Sequence, residues 1–300
     1  MQAIGLLRQA VLGEAWYDEH VNVKWRQITV NSRPLILLTN DDGFDSPGLR
    51  AAAQALLALG EVFISAPVEQ QSGAGRSLWN SHRARIHHRQ LRIGAETVHG
   101  FAIEGTPATS VKTALLELSP RRPALCVSGI NYGENVGNGV TISGTVGAAL
   151  QAAADGIPAL AVSLEVDPAL HNSHATTVDF SVAGHFTAQF AQRLLAALPL
   201  EDLDVLKVDV PAGATPATPW RLTRQSKQQR YLPLKSTGPS QGEHSADYVS
   251  NDDYSRVEPG SDFYVLVHDR LVSVTPLSLD LTSRIDFVVL DGALKQEQAA

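Results

Sequence analysis

Residues 34–49, which read PLILLTNDDGFDSPGL, decide the fold. The apolar run at 34–39 is typical of a buried strand, and it stops at Asn-Asp-Asp-Gly. Ser46 and Pro47 then supply a helix N-cap and a proline at the first helical position. A second apolar strand, EVFISA, follows at residues 61–66. The order strand, loop, helix, strand predicts two parallel strands joined by a right-handed crossover helix.

The same alternation of strands and helices recurs along the chain. Further strands are predicted at residues 98–103, 124–128, 159–164 and 204–210, and further helices at 106–118, 145–155 and 179–198. Because parallel strands need crossover connections, this pattern predicts an α/β protein with a three-layer, Rossmann-like, mostly parallel sheet.

The last hundred residues have a different texture, with many prolines, glutamines and serines between short alternating stretches. Short strands are predicted there at residues 220–223 and 229–232, and a β-hairpin is predicted from strands at 263–268 and 271–275. The apolar residues of such a hairpin would be exposed on an isolated arm. We therefore expect a second copy of the chain to cover it.

Length and composition are those of an ordinary globular protein. Of the 300 residues, 44% are hydrophobic and 18% are charged, which excludes a disordered chain or a charged coiled coil. We divide the chain into an N-terminal extension at 1–32, an α/β core at 33–200 and a smaller β-rich C-terminal part at 201–300 that carries the hairpin. The extension has no helix or strand signal beyond a weak amphipathic stretch.

Charge and cysteine content exclude several classes of protein. The net charge of −7 is unsuited to duplex nucleic acid, which requires a basic face. A single cysteine, Cys126, excludes an intrachain disulfide and a cysteine-rich zinc site. The sequence contains no uninterrupted apolar run of about 18 residues, so we expect no membrane span. The N-terminus lacks a signal-peptide pattern, so the expected location is the cytoplasm.

Polar side chains follow three of the predicted parallel strands. Asp41 and Asp42 follow the first strand, Ser72 lies beyond the second, and Asn131 follows the strand at 124–128. The carboxyl ends of parallel strands meet at one edge of the sheet, where ligands bind in such folds. Carboxylate, hydroxyl and amide oxygens are hard donors that suit one Mg²⁺ or Mn²⁺ ion. The sequence therefore predicts a divalent-cation site at this edge.

A second feature is the Ser143-Gly144-Thr145 triplet, which opens the predicted helix at 145–155. Unpaired amides and hydroxyls at a helix N-terminus form a phosphate cradle. Simpler interpretations remain open for both features. Asp-Asp-Gly is often only a turn, Asn131 beside glycines can be a left-handed turn residue, and Ser143 can be a plain N-cap.

Four stretches follow one another along the chain, namely PLILLTNDDGFDSPGL, APVEQQSGAG, EGTPATSVKTAL and VSGINYGENVGNGVTISGTVGAALQAA. Together they resemble the SurE family of metal-dependent 5′-nucleotidases. The later LVSVTPLSLDLT resembles the family's C-terminal strand, and the resemblance covers roughly residues 33–285. It implies an α/β core, one divalent cation, and removal of phosphate from nucleoside 5′-monophosphates, with 3′-nucleotides and short polyphosphate as further substrates. It also implies a homodimer or homotetramer in which a C-terminal hairpin reaches into a neighbour.

The resemblance also assigns roles to individual residues. It places the cation on Asp41, Asp42, Ser72 and Asn131, the set already chosen from the strand ends. It places Asn40, Asn135, Ser143, Gly144 and Thr145 near the phosphate. Four features depart from the family pattern, namely Thr109-Ser110, Ile142, Asp209 and the extension. None of them removes a metal ligand, so they concern the substrate and the assembly.

The predicted reaction is phosphomonoester hydrolysis by metal-activated water. Asp41, or a water that it orients, is the candidate base, and Asn135 is the second catalytic candidate because it holds a phosphate oxygen in line. One alternative is a receiver-like phosphoacceptor signalling protein, although the later predicted strands lack the acceptor Asp at their ends. The other alternative is a nucleotide-binding module without catalytic activity.

Overall fold

A mostly parallel sheet forms the centre of the protein. The computed structural model describes residues 33–79, 83–171, 177–197, 199–234 and 248–295, so the extension at 1–32 lies outside the described residues. The strands are β1 Leu35–Thr39, β2 Glu61–Pro67, β3 Ile86–Ile93, β4 Glu96–Ile103, β5 Leu125–Tyr132, β6 Ala159–Leu164, β7 Val205–Val210, β8 Trp220–Leu222, β9 Tyr231–Pro233, β10 Tyr248–Ser250 and β11 Val272–Leu277. The α-helices are α1 Pro47–Leu56, α2 Pro107–Thr113, α3 Gly144–Ala154, α4 Ser181–Ala197 and α5 Phe287–Lys295.

The strand order of this sheet is β3-β4-β2-β1-β5-β6-β7-β11-β8. Neighbouring strands run parallel except at two places, where β3 pairs antiparallel with β4 and β11 pairs antiparallel with β7. Every residue of β1 is buried, as expected for a central strand covered on both faces. The predicted mostly parallel sheet is confirmed.

Helices cover both faces of the sheet and make the protein three-layered. On one face, α1 and α4 contribute Leu49, Phe186 and Phe190 to a buried cluster with β1 and β5. On the other face, α2 and α3 contribute Val111 and Val146 to a second cluster. The central strands β1, β5 and β6 are therefore covered on both faces.

The helix starts follow the sequence signals. Ser46, Thr106 and Ser143 each cap a helix by accepting a backbone N–H with the side-chain oxygen. Proline follows directly at Pro47 and Pro107, where the missing N–H costs nothing. Local chemistry was therefore sufficient to place these boundaries.

The predicted hairpin at 263–275 is wrong in its first half. Residues Tyr264–His268 form a short π-helical turn, and only the second half is a strand, which pairs with β7 inside the central sheet. Phe263, Val265 and Leu266 are completely buried within the chain itself. A short apolar run cannot be assigned to strand or helix by its pattern alone. Burial in the same chain removes our sequence argument that a partner covers these residues.

The stretch predicted at 229–232 contains part of β9, which pairs antiparallel with β10, a strand that the sequence analysis did not predict. A further strand was missed altogether, since β3 lies in a stretch rich in Arg and His and forms the sheet edge beside β4. Leu91 and Ile93 are its buried residues, and the exposed charges mask them in the sequence. Within the described ranges, no helix combines the length and the apolar character needed to cross a membrane.

Candidate active site

The carboxyl end of β1 carries the acidic pair into a buried position. Asp41 and Asp42 have only 5% and 1% of their surface exposed. β1 lies between β2 and β5 and pairs parallel with both. The loops that follow these two strands therefore reach the acidic pair, as the sequence predicted.

Backbone hydrogen bonds join these loops to the pair. The Gln71 N–H donates to the Asp41 carbonyl at 2.7 Å, so Ser72 lies one residue from this contact and is exposed. The Tyr132 N–H donates to Asp42 Oδ2 at 3.2 Å, and Asn131 is its chain neighbour. The structure thus brings all four predicted cation ligands to one edge of the sheet.

The two carboxylates are electrostatically unfavourable without a cation. Burial raises the pKa of Asp41 from 3.8 to about 6, even though Thr145 donates a hydrogen bond to it. Burial and then the charge of Asp41 raise the pKa of Asp42 well above its usual value. A divalent cation between the carboxylates would offset both causes.

Neighbouring side chains add oxygen donors to the pair. The Asn131 amide nitrogen donates to the Gly133 carbonyl at 2.7 Å, which leaves the amide oxygen for a ligand. Asn40 Oδ1 is buried and has no hydrogen-bond partner in the described part of the chain. The same part contains no group of three or more His, Cys, Asp or Glu side chains suited to a metal. Two carboxylates with amide and hydroxyl oxygens fit Mg²⁺ or Mn²⁺.

The start of α3 lies against Asp41. Ser143 Oγ accepts the Val146 N–H at 3.1 Å as the helix N-cap. Thr145 Oγ1 donates to Asp41 Oδ1. A Cβ atom on Gly144 would lie 2.7 Å from both Cβ and Oδ2 of Asp41, so glycine is needed for this close approach. Contact of these three residues with phosphate stays a prediction. The structure adds that Thr145 holds Asp41 by a hydrogen bond and that Gly144 leaves room for the Asp41 side chain.

Asn135 reaches the same edge from the loop after β5. Its side-chain nitrogen donates to Ser163 Oγ at 2.8 Å, and Ser163 is the residue of β6 that pairs in register with Asn131. Its backbone N–H donates to Asp209 Oδ1 at 2.8 Å. Asn135 is half-buried and held at two points, and its predicted contact with the phosphate stays a prediction.

Known proteins match this chain over most of its length. The family model of the survival protein SurE matches residues 36–231. The chain belongs to the SurE family. The 5′-nucleotidase SurE of Thermococcus kodakarensis is 41% identical over 256 residues, which cover 84% of this chain and 95% of that protein. Its counterpart from Archaeoglobus fulgidus is 37% identical and is covered to 96%.

A solved SurE structure has the same fold. The crystal structure of the SurE protein from Aquifex aeolicus superposes with a TM-score of 0.66 and 30% sequence identity. The match covers 86% of this chain and 98% of that one. The family and the fold expected from the sequence are therefore confirmed.

One residue of this SurE site was missed by the sequence analysis. Gln70 Nε2 donates to Asp42 Oδ1 at 3.0 Å and to the His171 carbonyl at 2.8 Å. Gln70 therefore ties the acidic pair to the segment after β6. It lies two positions before Ser72 in the same loop, but a glutamine in a polar loop has no distinctive spacing that could have identified it.

Thr145→Val should reduce kcat/KM by about 10- to 100-fold, the value of one hydrogen bond to a charged group. The substitution keeps the side-chain volume but removes the donor that holds Asp41 Oδ1. Steady-state phosphate release with Mg²⁺ measures this effect. Thr187→Val is the matched control, because that buried hydroxyl donates to the Ala183 carbonyl on α4, away from the site. Unchanged kinetics with lower thermal stability would mean that Thr145 has only a structural role.

Proposed function

We propose that this SurE-family chain is a 5′-nucleotidase that hydrolyses nucleoside 5′-monophosphates with one divalent cation, Mg²⁺ or Mn²⁺, per subunit. The observation that supports this most directly is the buried Asp41–Asp42 pair beside the N-terminus of α3. Relatives of 37% to 41% identity carry the name 5′-nucleotidase SurE. Hydrolysis of 3′-nucleotides and short polyphosphate is part of the same proposal.

Asp41, Asp42, Ser72 and Asn131 would hold the cation. When bound, it would supply Lewis-acid polarisation of the phosphate and a lower pKa for a neighbouring water. Asp41 is already oriented by Thr145, so its second oxygen can accept a proton from water. A cation bound to Asp41 would keep this carboxyl ionised near neutral pH, so that it can act as the base.

The remaining residues would hold the phosphate. Asn135 is fixed by Ser163 and Asp209, so its amide can be presented without loss of further conformational freedom. Ser143 and the first amides of α3 lie at a helix N-terminus, where a phosphate dianion is favoured. These groups would align the phosphate for in-line attack.

The signalling alternative finds less support. A receiver-like protein needs an accessible phosphoacceptor Asp at the end of a later strand. In the described part of the chain Asp209 lies on β7, but it is fully buried and forms an ion pair with Lys207. Turnover of a nucleoside monophosphate would distinguish the proposed enzyme from a nucleotide-binding protein without catalytic activity.

Assembly into a homodimer or homotetramer and a cytoplasmic location stay predictions. What supports an assembly now is α5, where Phe287, Val288 and Val289 are 63%, 81% and 63% exposed. Exposed apolar side chains that lie next to one another are typical of an interface.

Complete chelation should abolish phosphate release, because the acidic pair would otherwise repel a phosphate dianion in a protein of net charge −7. The measurement is a phosphate-release screen over nucleoside 5′- and 3′-monophosphates and polyphosphate, with and without EDTA. Readdition of Mg²⁺ or Mn²⁺ should restore activity, which controls for unfolding. Full activity in EDTA would contradict the proposed cation, and no activity on any substrate with metal would contradict the proposed reaction.

A further inference from the structure

A buried charged cluster contacts the loop that carries Asn135. It consists of Lys207, Asp209 and Asp262, and all three side chains are 0% exposed. Lys207 and Asp209 are two apart on β7, so their side chains lie on the same face of the sheet. Lys207 Nζ pairs with Asp209 Oδ2 and, at 3.2 Å, with Asp262 Oδ2. The two carboxylates therefore share the single ammonium group of Lys207.

The cluster holds the backbone of Asn135. Asp209 uses its other oxygen, Oδ1, to accept the Asn135 N–H at 2.8 Å. Asp209 also pairs in register with Ser163, whose hydroxyl accepts the Asn135 side chain at 2.8 Å. The backbone and the side chain of Asn135 are therefore both held by one pair of neighbouring residues in the sheet, Asp209 and Ser163.

The cluster also holds the loop two residues further on. Asp262 accepts backbone N–H groups from Gly137 at 3.2 Å, and from Ser226 and Phe263 at 2.8 Å each. A side chain on Gly137 would collide with the Gln228 carbonyl, so the loop packs tightly against the C-terminal part of the chain. The cluster thus holds the loop between Asn131 and Ser143 at two backbone N–H groups, those of Asn135 and Gly137.

Stability alone does not account for such a cluster. Fully buried ion pairs are often replaceable by well-packed apolar residues without loss of stability. Charge-assisted hydrogen bonds are, however, short and directional, so they fix geometry better than apolar contacts do. Here two of the bonds that leave the cluster end on the backbone of the loop that carries Asn135, at Asn135 and Gly137.

We propose that Lys207, Asp209 and Asp262 form a positioning cluster that sets the orientation of Asn135 toward the phosphate of the substrate. This inference rests on the proposed function. Asp209 is the residue that acts directly, since it contacts Asn135. Lys207 holds Asp209 in place, and Asp262 anchors the cluster to the loop at Gly137.

The test is a double-mutant cycle between Asp209→Leu and Asn135→Ala, measured as kcat/KM for phosphate release. Each single variant should lose about 10- to 100-fold, the cost of a misplaced catalytic group. The double variant should be no worse than Asn135→Ala alone, because Asn135→Ala keeps its backbone N–H but removes the amide that Asp209 positions. Asp209→Asn, which keeps an oxygen acceptor for that N–H, should recover most of the activity.

A matched control separates positioning from general destabilisation. Thr187→Val removes a buried hydrogen bond to the Ala183 carbonyl within α4, which packs on the face of β7 opposite Lys207 and Asp209. It should lower the melting temperature and leave kcat/KM unchanged. If Asp209→Leu does not fold, Asp209→Thr takes its place in the cycle, since its hydroxyl is too short to reach Asn135 and threonine suits a strand.

Activity of Asp209→Leu equal to that of Thr187→Val would overturn the inference, and so would losses that multiply in the double variant. Binding of inorganic phosphate with Mg²⁺, followed by calorimetry, is a readout that does not need turnover. Asp209→Leu should weaken phosphate binding as much as Asn135→Ala does. A wild-type protein that binds phosphate without hydrolysing nucleotides would contradict the proposed function only. Phosphate binding lost in Asn135→Ala but kept in Asp209→Leu would contradict the positioning role.

Discussion

Asp42→Asn is expected to abolish phosphate release and to stabilise the metal-free protein. The loss of activity should reach at least about 1,000-fold, or about 4 kcal/mol, because a ligand of the proposed cation is removed. Asparagine resembles the protonated carboxyl that burial and the charge of Asp41 favour at this position. Relief of this repulsion should contribute about 1 kcal/mol, which raises the melting temperature by about 2–4 °C.

The pH dependence of stability in the metal-free wild-type protein tests the cost of burying this acidic pair without a cation. The pKa of Asp41 is about 6 in the folded protein and 3.8 by default, so the folded state binds more protons than the unfolded state between these values. This contribution to stability is complete below about pH 4 and is lost as the pH rises through about 6. Mg²⁺ should restore the lost stability in the wild type but not in Asp42→Asn.

The control is Asp45→Asn, three residues further along the same loop. Asp45 is 69% exposed and pairs with Arg89 at the surface. Removal of a charge there should change neither the turnover nor the response to Mg²⁺, because exposed ion pairs contribute little. Asp42→Asn with near-wild-type turnover would show that Asp42 does not hold the cation.

Gly144→Ala should reduce kcat/KM by about 100-fold or more, through displacement of Asp41. The added Cβ would lie 2.7 Å from Asp41 Oδ2 and 3.1 Å from its Cγ, so the carboxylate must move and the contact from Thr145 is lost. Overpacking of this kind should also destabilise the protein by about 1–3 kcal/mol. The resemblance placed Gly144 near the phosphate, and the structure shows that the Asp41 side chain occupies the space beside it.

Gly139→Ala is the matched control in the loop that leads to α3. A Cβ on Gly139 has no atom within 4 Å, so this variant should retain wild-type turnover. Kinetics with Mg²⁺ and thermal melting with and without Mg²⁺ measure both variants. Gly144→Ala with normal turnover and a normal Mg²⁺-dependent increase in melting temperature would contradict the contact with Asp41.

The fold was predictable where local chemistry decides it. Buried apolar runs indicated β1, β2 and β6, and Ser46 and Thr106 indicated helix starts. The prediction failed where an apolar pattern suits more than one structure. Residues 263–268 are as apolar as a strand, yet they form a helical turn because they pack into a core cluster with Val136 and Val257.

The candidate site divides in the same way. Parallel strands direct their carboxyl ends to one edge, so the sequence alone could assign Asp41, Asp42 and Asn131 to one place. The partners of these residues were not predictable. Gln70 and Thr145 contact the acidic pair through the packing of loops that are remote in sequence, and no local spacing records such a contact.

By itself, the sequence determined the class of fold, the family and the side chains that stand at the strand ends, because these depend on residue type and on periodicity within one segment. Only the tertiary structure decided what each of those side chains touches. Thr145 and Asp41 are 104 positions apart, and Asn135 and Asp209 are 74 positions apart. Such pairs form because buried polar groups must find hydrogen-bond partners, and the partner within reach is set by how the strands and helices pack.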